Sequence, residues 1–374
     1  MAFVVLRSWT SYFWGSIVLH DQSIKNEKIF IMKILLVGSF GQPMYAPAFL
    51  SGFKSLGHKV KIVDYDDYLY HDSCIKHIFS RLQTRYHYGF KLYFYNHDIL
   101  KMAEKLSPDF IFLYRCYNIW PSTIKKLKAM GNFIFTYNND DPFKTIPSNG
   151  YYRHFRSIIP LTDVNYVYRK KNILDYEKVG GKNVKILLPY FIAKNNYKEA
   201  CEKDIPISFI AHFENDGRDK YIKALVDAGL PITVFNGDSW EEAPLYEQIK
   251  DVIKSGVRGK EYNHTINRSQ ICLVLFSKWN SDTYTRRCFE IPATQTLMLS
   301  AYTDDMDKMF PEDECAVYFR NEEELVAKAS YLLKHSEVIN RIAKNGYKRL
   351  NELGGSEVDR CREIVQLYLD VKNG

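Results

Sequence analysis

Six charged or amide side chains fall within thirteen positions of the second half of the chain. They are Lys278, Asn280, Asp282, Arg286, Arg287 and Glu290. A polar loop followed by the start of a helix suits a diphosphate, because free backbone N–H groups and the helix dipole favour anions there. An arginine adds a planar fork for phosphate oxygens, and a carboxylate further into the helix can accept both hydroxyls of a ribose. The alternative is a surface helix on which Glu290 pairs with Arg287.

Two carboxylates follow a predicted strand in the first half of the chain. Asn139, Asp140 and Asp141 come directly after the apolar run Phe133–Tyr137. One of the two carboxylates would be a general base that removes a hydroxyl proton. The string Asn-Asp-Asp-Pro is equally suited to a plain turn, and both interpretations stay open.

A third group of candidates lies at the ends of two other predicted strands. These residues are Gly38, Gly41, Tyr45, Tyr114 and Arg115. The glycines would let a ligand approach the backbone, and Tyr114 and Arg115 lie at a comparable strand end. Ordinary loop roles explain all five residues at least as well.

Short apolar runs separated by segments of helical period must position these residues. In the first half the runs are Lys33–Gly38, Lys59–Asp64, Phe110–Tyr114, Phe133–Tyr137, Val164–Tyr168 and Val184–Leu188. In the second half they are Ile205–Ala211, Ile232–Phe235 and Gln270–Phe276. Such alternation predicts an α/β protein with parallel sheets covered by helices. Two doubly wound sheets create a cleft where their carboxyl ends face each other, and open α/β sheets bind ligands at that edge.

Composition and motif searches exclude several other classes. The 374 residues predict two domains, and the seven cysteines contain no C-x-x-C pair that would indicate a zinc finger or a disulfide framework. The histidines lack metal-ligand spacing, so no metal site is predicted. A Walker A string, a full G-x-G-x-x-G fingerprint and a G-x-S-x-G elbow are also missing.

The charge is divided unevenly along the chain. Between Lys33 and Glu199 there are 25 Lys and Arg against 13 Asp and Glu, whereas the residues from Ala200 onward carry 23 against 29. The basic half would face an anionic substrate or an anionic membrane, and a mixed solvated surface is the alternative. Nucleic acid is not predicted as a partner, because the positive charge is dispersed and no recognition motif accompanies it.

The first 31 residues precede the first predicted strand. Met32 directly precedes that strand, so residues 1–31 are interpreted as an extension without a role in the fold. No uncharged apolar run reaches the length that spans a bilayer. A cytoplasmic protein, in peripheral contact with the inner face of the membrane, is the resulting expectation.

Two strings of the sequence resemble a known family. Asn280-x-Asp282-x(4)-Arg287-x-Phe289-Glu290-x-Pro292-Ala293 is similar to the signature of group 1 glycosyltransferases of the spore-maturation-protein-B-like (CgeB-like) branch. The string N-D-D-P-F at residues 139–143 resembles one of the same branch. The resemblance implies the GT-B fold, with residues 32–192 as a Rossmann-like acceptor domain and residues 193–374 as a Rossmann-like donor domain. The last helix is expected to cross back to the first domain.

The resemblance also implies roles for individual residues. Those assigned to donor binding are Glu290, Arg287, Arg286, Arg218, Gly217, Asn280, Lys278, Gly237 and Trp240. Catalytic roles fall to Asp282, Asp140 and Asp141, and the acceptor would contact Gly38, Gly41, Tyr45, Tyr114, Arg115 and Asn139. Gly217 and Arg218 correspond to the loop that cradles the donor diphosphate. Trp240 lies in a turn near the nucleobase, or is a plain core anchor.

The implied activity is transfer of a sugar from a nucleotide-diphosphate-sugar to a glycan, lipid-linked or protein acceptor, in bacterial surface polysaccharide or glycoconjugate synthesis. No cofactor is expected, and no metal, because Arg218, Arg287 and the helix dipole can neutralise the leaving diphosphate. Two alternatives remain: a nucleotide-sugar 2-epimerase of the same fold, and a non-catalytic sugar-binding or spore-coat-like protein.

Overall fold

Strands alternate with helices in both halves of the chain. The computed structural model describes residues 30–69, 82–83, 85–144 and 152–373, so the predicted extension at residues 1–31 lies almost wholly outside the described residues. The strands are β1 (Lys33–Gly38), β2 (Lys59–Asp64), β3 (Phe110–Tyr114), β4 (Phe133–Asn138), β5 (Val164–Val167), β6 (Val184–Ile186), β7 (Ile205–Ile210), β8 (Ile232–Phe235), β9 (Ile253–Lys254), β10 (Ser269–Val274), β11 (Leu297–Ala301) and β12 (Val317–Phe319).

The helices connect these strands. Those of the first half are α1 (Ala46–Ser55), α2 (Asp66–Leu69), α3 (Phe90–Leu106), α4 (Pro121–Ala129), α5 (Arg153–Ile158) and α6 (Lys170–Lys178). Those of the second half are α7 (Arg218–Asp227), α8 (Tyr246–Ile249), α9 (Gly259–Arg268), α10 (Arg287–Ala293), α11 (Asp304–Met309), α12 (Glu322–Leu333), α13 (Ser336–Glu352) and α14 (Glu357–Asn373).

The strands form two parallel sheets of six strands each within the described residues, which confirms the predicted fold class. The first has the order β2-β1-β3-β4-β5-β6, and the second has the order β12-β11-β10-β7-β8-β9. The order reverses between β1 and β3 in one sheet and between β7 and β10 in the other. Ligands of open α/β sheets bind at such switch points, outside the carboxyl ends of the strands.

The strand boundaries predicted from the sequence agree with those of the structure for the central strands, because these strands are apolar on both faces. All five residues of β3 are buried, as parallel strands covered by helices require. The predicted runs Val164–Tyr168 and Val184–Leu188 are longer than β5 and β6, because their last residues already belong to loops. Strands β9, β11 and β12 were not predicted; β9 has only two residues, too few to show any period.

Helix α14 returns from the second half and packs against α1 of the first half. The Cys361 thiol donates to the backbone oxygen of Phe49 at 3.6 Å. Further along α14, the Tyr368 ring lies 5.3 Å from Phe110 and 5.5 Å from Phe133, centroid to centroid. The outer layer of the first sheet therefore includes a helix that follows the second sheet in sequence. Within the described part of the chain, no helix is long and apolar enough to cross a membrane.

The close approach of α1 and α14 predicts a large cost for a small substitution. A Cβ on Gly52 would lie 2.6 Å from Cys361 Sγ and 2.9 Å from the backbone oxygen of Glu357. We expect Gly52→Ala to destabilise the protein by about 1–3 kcal/mol, as overpacked cores are, although alanine has the higher helix propensity. Urea unfolding measures this difference.

The matched control is Ser55→Ala, which changes an exposed position of the same helix. Its free energy of unfolding should differ from wild type by less than about 0.5 kcal/mol. A Gly52→Ala protein as stable as wild type would contradict the described packing of α14.

Candidate functional site

The carboxyl ends of the two sheets meet through residues that follow β5 and β10. Tyr168 donates from its hydroxyl to the backbone oxygen of Tyr284 at 3.4 Å, and Tyr284 donates to the backbone oxygen of Tyr168 in return. Both side chains are buried. The loops that carry the predicted site residues are therefore held next to one another.

A buried ion pair lies beside these tyrosines. The Arg169 guanidinium contacts Oδ1 of Asp282 at 2.5 Å, and the exposed fractions of the two side chains are 6% and 11%. Arg169 also donates to the backbone oxygen of Asn139 at 2.9 Å. Burial raises the pKa of Asp282, and the charge of Arg169 opposes that rise. Asp282, predicted to be catalytic, thus joins the two halves in this structure.

Asp140 lies in a polar cluster at the ends of β3 and β4. Its Oδ2 accepts from Arg115 Nη2 at 2.6 Å and from the Tyr117 hydroxyl at 2.8 Å. Arg115 adopts a φ of 53° and lies 4.5 Å from the centroid of the Tyr45 ring. The amide Nδ2 of Asn138 in the same cluster is buried without a hydrogen-bond partner. The Asp140 side chain keeps 34% of its surface exposed, so a substrate hydroxyl can reach it.

Asp141 has a different environment from its neighbour. Its carboxylate accepts from Lys171 Nζ at 2.6 Å, from Asn172 Nδ2 at 2.8 Å and from the backbone N–H of Phe143 at 2.9 Å. Burial acts to raise the pKa of this carboxyl, but these hydrogen bonds lower it. Asp141 shapes the turn and anchors α6. These contacts fit the interpretation of the Asn-Asp-Asp-Pro string as a turn.

The loop after β1 is shaped by close contacts. A Cβ on Gly38 would lie 3.0 Å from the backbone oxygen of Tyr114, and the Gly41 N–H donates to Asp66 Oδ2 at 2.8 Å. The Tyr114 hydroxyl donates to Asn139 Oδ1 at 3.1 Å. Loop roles therefore account for Gly38 and Gly41, while Tyr114 and Asn139 border the Asp140 cluster.

Glu290 lies buried in α10 and is fully paired. Its Oε2 accepts from the Tyr262 hydroxyl at 2.7 Å, and its Oε1 contacts Arg286 Nε at 2.7 Å. Arg286 also donates to the backbone oxygen of Met44, in the loop after β1, at 3.3 Å. Glu290 is thus paired with Arg286, whereas the surface-helix alternative paired it with Arg287.

Arg287 is the cation that this arrangement leaves unpaired. Its Nε is buried without a hydrogen-bond partner, and its guanidinium makes no ion pair with any residue that the structure describes. Lys278 is exposed and likewise has no ion-pair partner in the described residues. Its Nζ lies 3.8 Å from the position of a Cβ on Gly217. Lys278, in the loop after β10, and Arg287, at the start of α10, are therefore available to an anion.

Arg218 is saturated by contacts within its own loop. Its Nη2 contacts Asp216 Oδ2 at 2.7 Å and Glu214 Oε2 at 3.1 Å, and its Nη1 donates to the backbone oxygen of His212. Burial acts to raise the pKa of Glu214, but hydrogen bonds from His212 and Ser277 and the charge of Arg218 lower it to about 2. The predicted phosphate cation holds the Gly217 loop in shape in this structure.

A cavity of about 470 Å³ opens at the carboxyl end of the second sheet. It brings three predicted residues together, namely Arg218, Lys278 and Asp282. Asn280 lies on the same loop and accepts from Lys144 Nζ at 3.2 Å.

Trp240 is buried in the core of the second half. Its Nε1 donates to the backbone oxygen of Ala211 at 2.9 Å, and its ring lies 5.4 Å from Phe213. A Cβ on Gly237 would lie 2.8 Å from the backbone oxygen of Lys254. Trp240 is therefore an anchor of the core, the alternative to its placement near the nucleobase. Close packing against Lys254 accounts for Gly237.

Three residues of this region were not predicted to have a role in it. Arg169 follows β5 directly, so the rule that ligand-facing residues follow parallel strands points to it. Tyr262 lies on α9, and its hydroxyl donates to the Glu290 carboxylate. Tyr117 lies three residues beyond β3 and has no sequence signal. Among the described residues, no group of three or more His, Cys, Asp or Glu side chains is placed to hold a metal ion.

Comparison with known proteins adds a family match and a set of similar folds. Residues 218–354 match a family described as "Glycosyl transferase-like". No curated protein matches the chain.

Three solved structures illustrate the likeness in fold. Sucrose-phosphate synthase from Thermosynechococcus elongatus has a TM-score of 0.64 and 14% identity, covering 91% of this chain and 99% of that one. Anabaena HepE in complex with UDP-glucose has a TM-score of 0.60 and 12% identity, covering 91% and 100%. A putative UDP-N-acetylglucosamine 2-epimerase from Listeria monocytogenes has a TM-score of 0.54 and 11% identity, covering 90% and 95%. The chain therefore has the GT-B fold of glycosyltransferases, with a glycosyl transferase-like region at residues 218–354.

Proposed function

We propose that the protein is a glycosyltransferase that moves a sugar from a nucleotide-diphosphate-sugar to a glycan, lipid-linked or protein acceptor. The observation that carries the proposal is the unpaired Arg287, whose Nε is buried and which stands three residues before Glu290 in α10. A buried guanidinium nitrogen without a partner is costly, and a donor phosphate would supply the missing acceptor.

The second half of the molecule supplies the donor site in this proposal. Arg287 and Lys278 hold the diphosphate, and Glu290 accepts the ribose hydroxyls in exchange for part of its contact with Arg286. HepE binds UDP and UDP-glucose, so UDP is the first nucleotide to test. Residues 32–192 then form the acceptor domain and residues 193–374 the donor domain, as in the spore-maturation-protein-B-like branch.

The transfer step forms one bond and breaks one bond. The acceptor hydroxyl oxygen bonds to the anomeric carbon of the sugar while the bond from that carbon to the β-phosphate oxygen breaks. The electron pair of the broken bond leaves with the diphosphate, whose charge Arg287 and Lys278 stabilise electrostatically, so the proposal assigns no metal to the step.

The hydroxyl proton has two possible destinations in this site. Asp140 takes it in an inverting reaction, and its partly exposed carboxylate fits that role better than the enclosed Asp141. In a retaining reaction the leaving phosphate takes the proton on its own face. The anomeric configuration of the product distinguishes the two.

The first test is nucleotide binding followed by thermal unfolding. UDP at 100 times its dissociation constant should stabilise the wild type by about 2.7 kcal/mol, and GDP, CDP and dTDP serve as comparisons. Arg287→Gln should weaken UDP binding about 10- to 100-fold, since a hydrogen bond to a charged group contributes about 1.5–3 kcal/mol. Glu290→Gln should also weaken it while keeping the shape of the side chain.

Matched controls for these variants lie on α9 and at its start. Arg258→Gln and Glu261→Gln remove the same charges from exposed positions of the same half and should bind UDP as the wild type does. If no nucleotide raises the melting temperature, the donor site is wrong and the non-catalytic alternative is favoured.

The second test separates transfer from epimerisation. A transferase releases UDP from a UDP-sugar only when an acceptor is present. A 2-epimerase, the activity in the name of the Listeria structure, changes the sugar without an acceptor. In the inverting case Asp140→Asn should lower kcat about 10²- to 10⁴-fold and leave the dissociation constant for UDP unchanged.

Glu177→Gln, an exposed carboxylate of the same half, is the control for Asp140→Asn and should retain full activity. Equal rates for Asp140→Asn and wild type, with a retained configuration in the product, would remove Asp140 from the mechanism. Loss of UDP binding in Asp140→Asn would instead mark it as a structural residue.

A further inference from the structure

An exposed aromatic surface lies at the start of α3. Phe90, Tyr93 and Phe94 keep 62%, 54% and 53% of their surface exposed, and Tyr88 just before the helix keeps 76%. The four residues lie within seven positions. A soluble protein rarely exposes several large aromatic side chains together unless the surface binds something.

The same face of α3 continues into a cluster of lysines. Residues three and four apart share a helix face, so the stripe that starts at Phe90 and Phe94 continues through His97 and Lys101 to Lys105. All of these side chains are exposed. The helix therefore presents an aromatic end and a basic end on one side.

Lys105 borders a cavity of about 570 Å³ at the edge of the first sheet. We call this cavity the lysine groove; its basic lining residues are Lys33, Lys54, His58, Lys59, Lys61 and Lys105. None of the five lysine ammonium groups has an ion-pair or hydrogen-bond partner in the described part of the chain. Lysines on an edge strand also prevent sheet-to-sheet pairing, which accounts for Lys59 and Lys61 on β2 but not for the other three.

Acidic groups near this face are few and mostly engaged. Asp109 accepts the backbone N–H of Lys33 at 2.7 Å, and Asp98 accepts the Tyr68 hydroxyl at 2.7 Å. Glu104 is exposed on α3 itself. The face as a whole therefore carries a positive charge that its own carboxylates do not balance.

We propose that the lysine groove and the aromatic end of α3 together dock on an anionic lipid bilayer. Amphipathic aromatic side chains partition into the interface between headgroups and acyl chains, and lysines are attracted to anionic headgroups. A small soluble anion would use the lysines and leave the aromatic side chains unexplained.

The aromatic end of the docking face lies close to the proposed acceptor site. The Tyr88 ring stacks on Trp120 at 6.1 Å, and Trp120 Nε1 donates to the backbone oxygen of His87 at 3.0 Å. Trp120 follows β3, at whose end Arg115 contacts Asp140. Docking would therefore bring a lipid-linked acceptor near the cleft, a consequence that rests on the proposed function, whereas the docking itself does not.

The test is sedimentation with vesicles of phosphatidylcholine, with and without phosphatidylglycerol. The wild type should bind only the vesicles that contain phosphatidylglycerol, and salt should weaken the binding. The triple variant Lys54→Gln, Lys61→Gln and Lys105→Gln should bind about 100-fold more weakly, at about fivefold for each lysine. The double variant Tyr93→Ser and Phe94→Ser should bind at least about tenfold more weakly.

Matched variants in the second half control for net charge and for aromatic content. They are Lys308→Gln with Lys334→Gln and Lys344→Gln, and Tyr331→Ser with Tyr347→Ser, all at exposed positions. Both should bind vesicles like the wild type, and circular dichroism checks that every variant is folded.

Three results would overturn the proposal. The first is failure of the wild type to bind anionic vesicles, and the second is equal loss of binding in the control variants. The third is displacement from vesicles by tripolyphosphate combined with full binding by the aromatic variant, which would identify a site for a soluble polyanion. UDP binding is measured separately, so failure of docking leaves the donor site untouched.

Discussion

The two halves of the molecule meet through buried polar groups that must all stay paired. Arg169 and Asp282 are almost excluded from water, and each would be a costly isolated charge without the other. The backbone oxygens of Tyr168 and Tyr284 must also stay paired, and each accepts a hydrogen bond from the other residue's hydroxyl. Because Tyr168 and Arg169 follow β5 and Asp282 and Tyr284 lie in the loop after β10, the pairing holds the carboxyl edges of the two sheets next to each other.

The cations around that cleft differ in how they are paired. Arg115 and Arg218 are satisfied by neighbouring carboxylates, which makes them supports for their loops. Arg287 has no such partner, and Lys278 beside the Gly217 loop is exposed. An anionic ligand therefore meets cations that need not first break an internal ion pair. Glu290 differs from these cations, since Arg286 and Tyr262 already engage its carboxylate.

Sequence predicts the fold better than it predicts the site. Apolar runs such as Phe110–Tyr114 mark buried parallel strands because their burial on both faces leaves no choice of residue. A site residue has no such signature, since its role depends on which carboxylate or cation lies across a loop. Asp140 and Asp141 are adjacent and identical, yet one is partly exposed and the other enclosed by Lys171. Arg218 and Arg287 differ in the same way, and only the folded chain separates them.

The return of α14 to the first half has a consequence for biosynthesis. Residues 357–373 cover α1, so the first half lacks part of its outer layer until the ribosome has translated the second half. The Gly52 face and the rings around Phe110 stay accessible to chaperones during that interval. The order of synthesis thus makes completion of the first half the last step in the maturation of the protein.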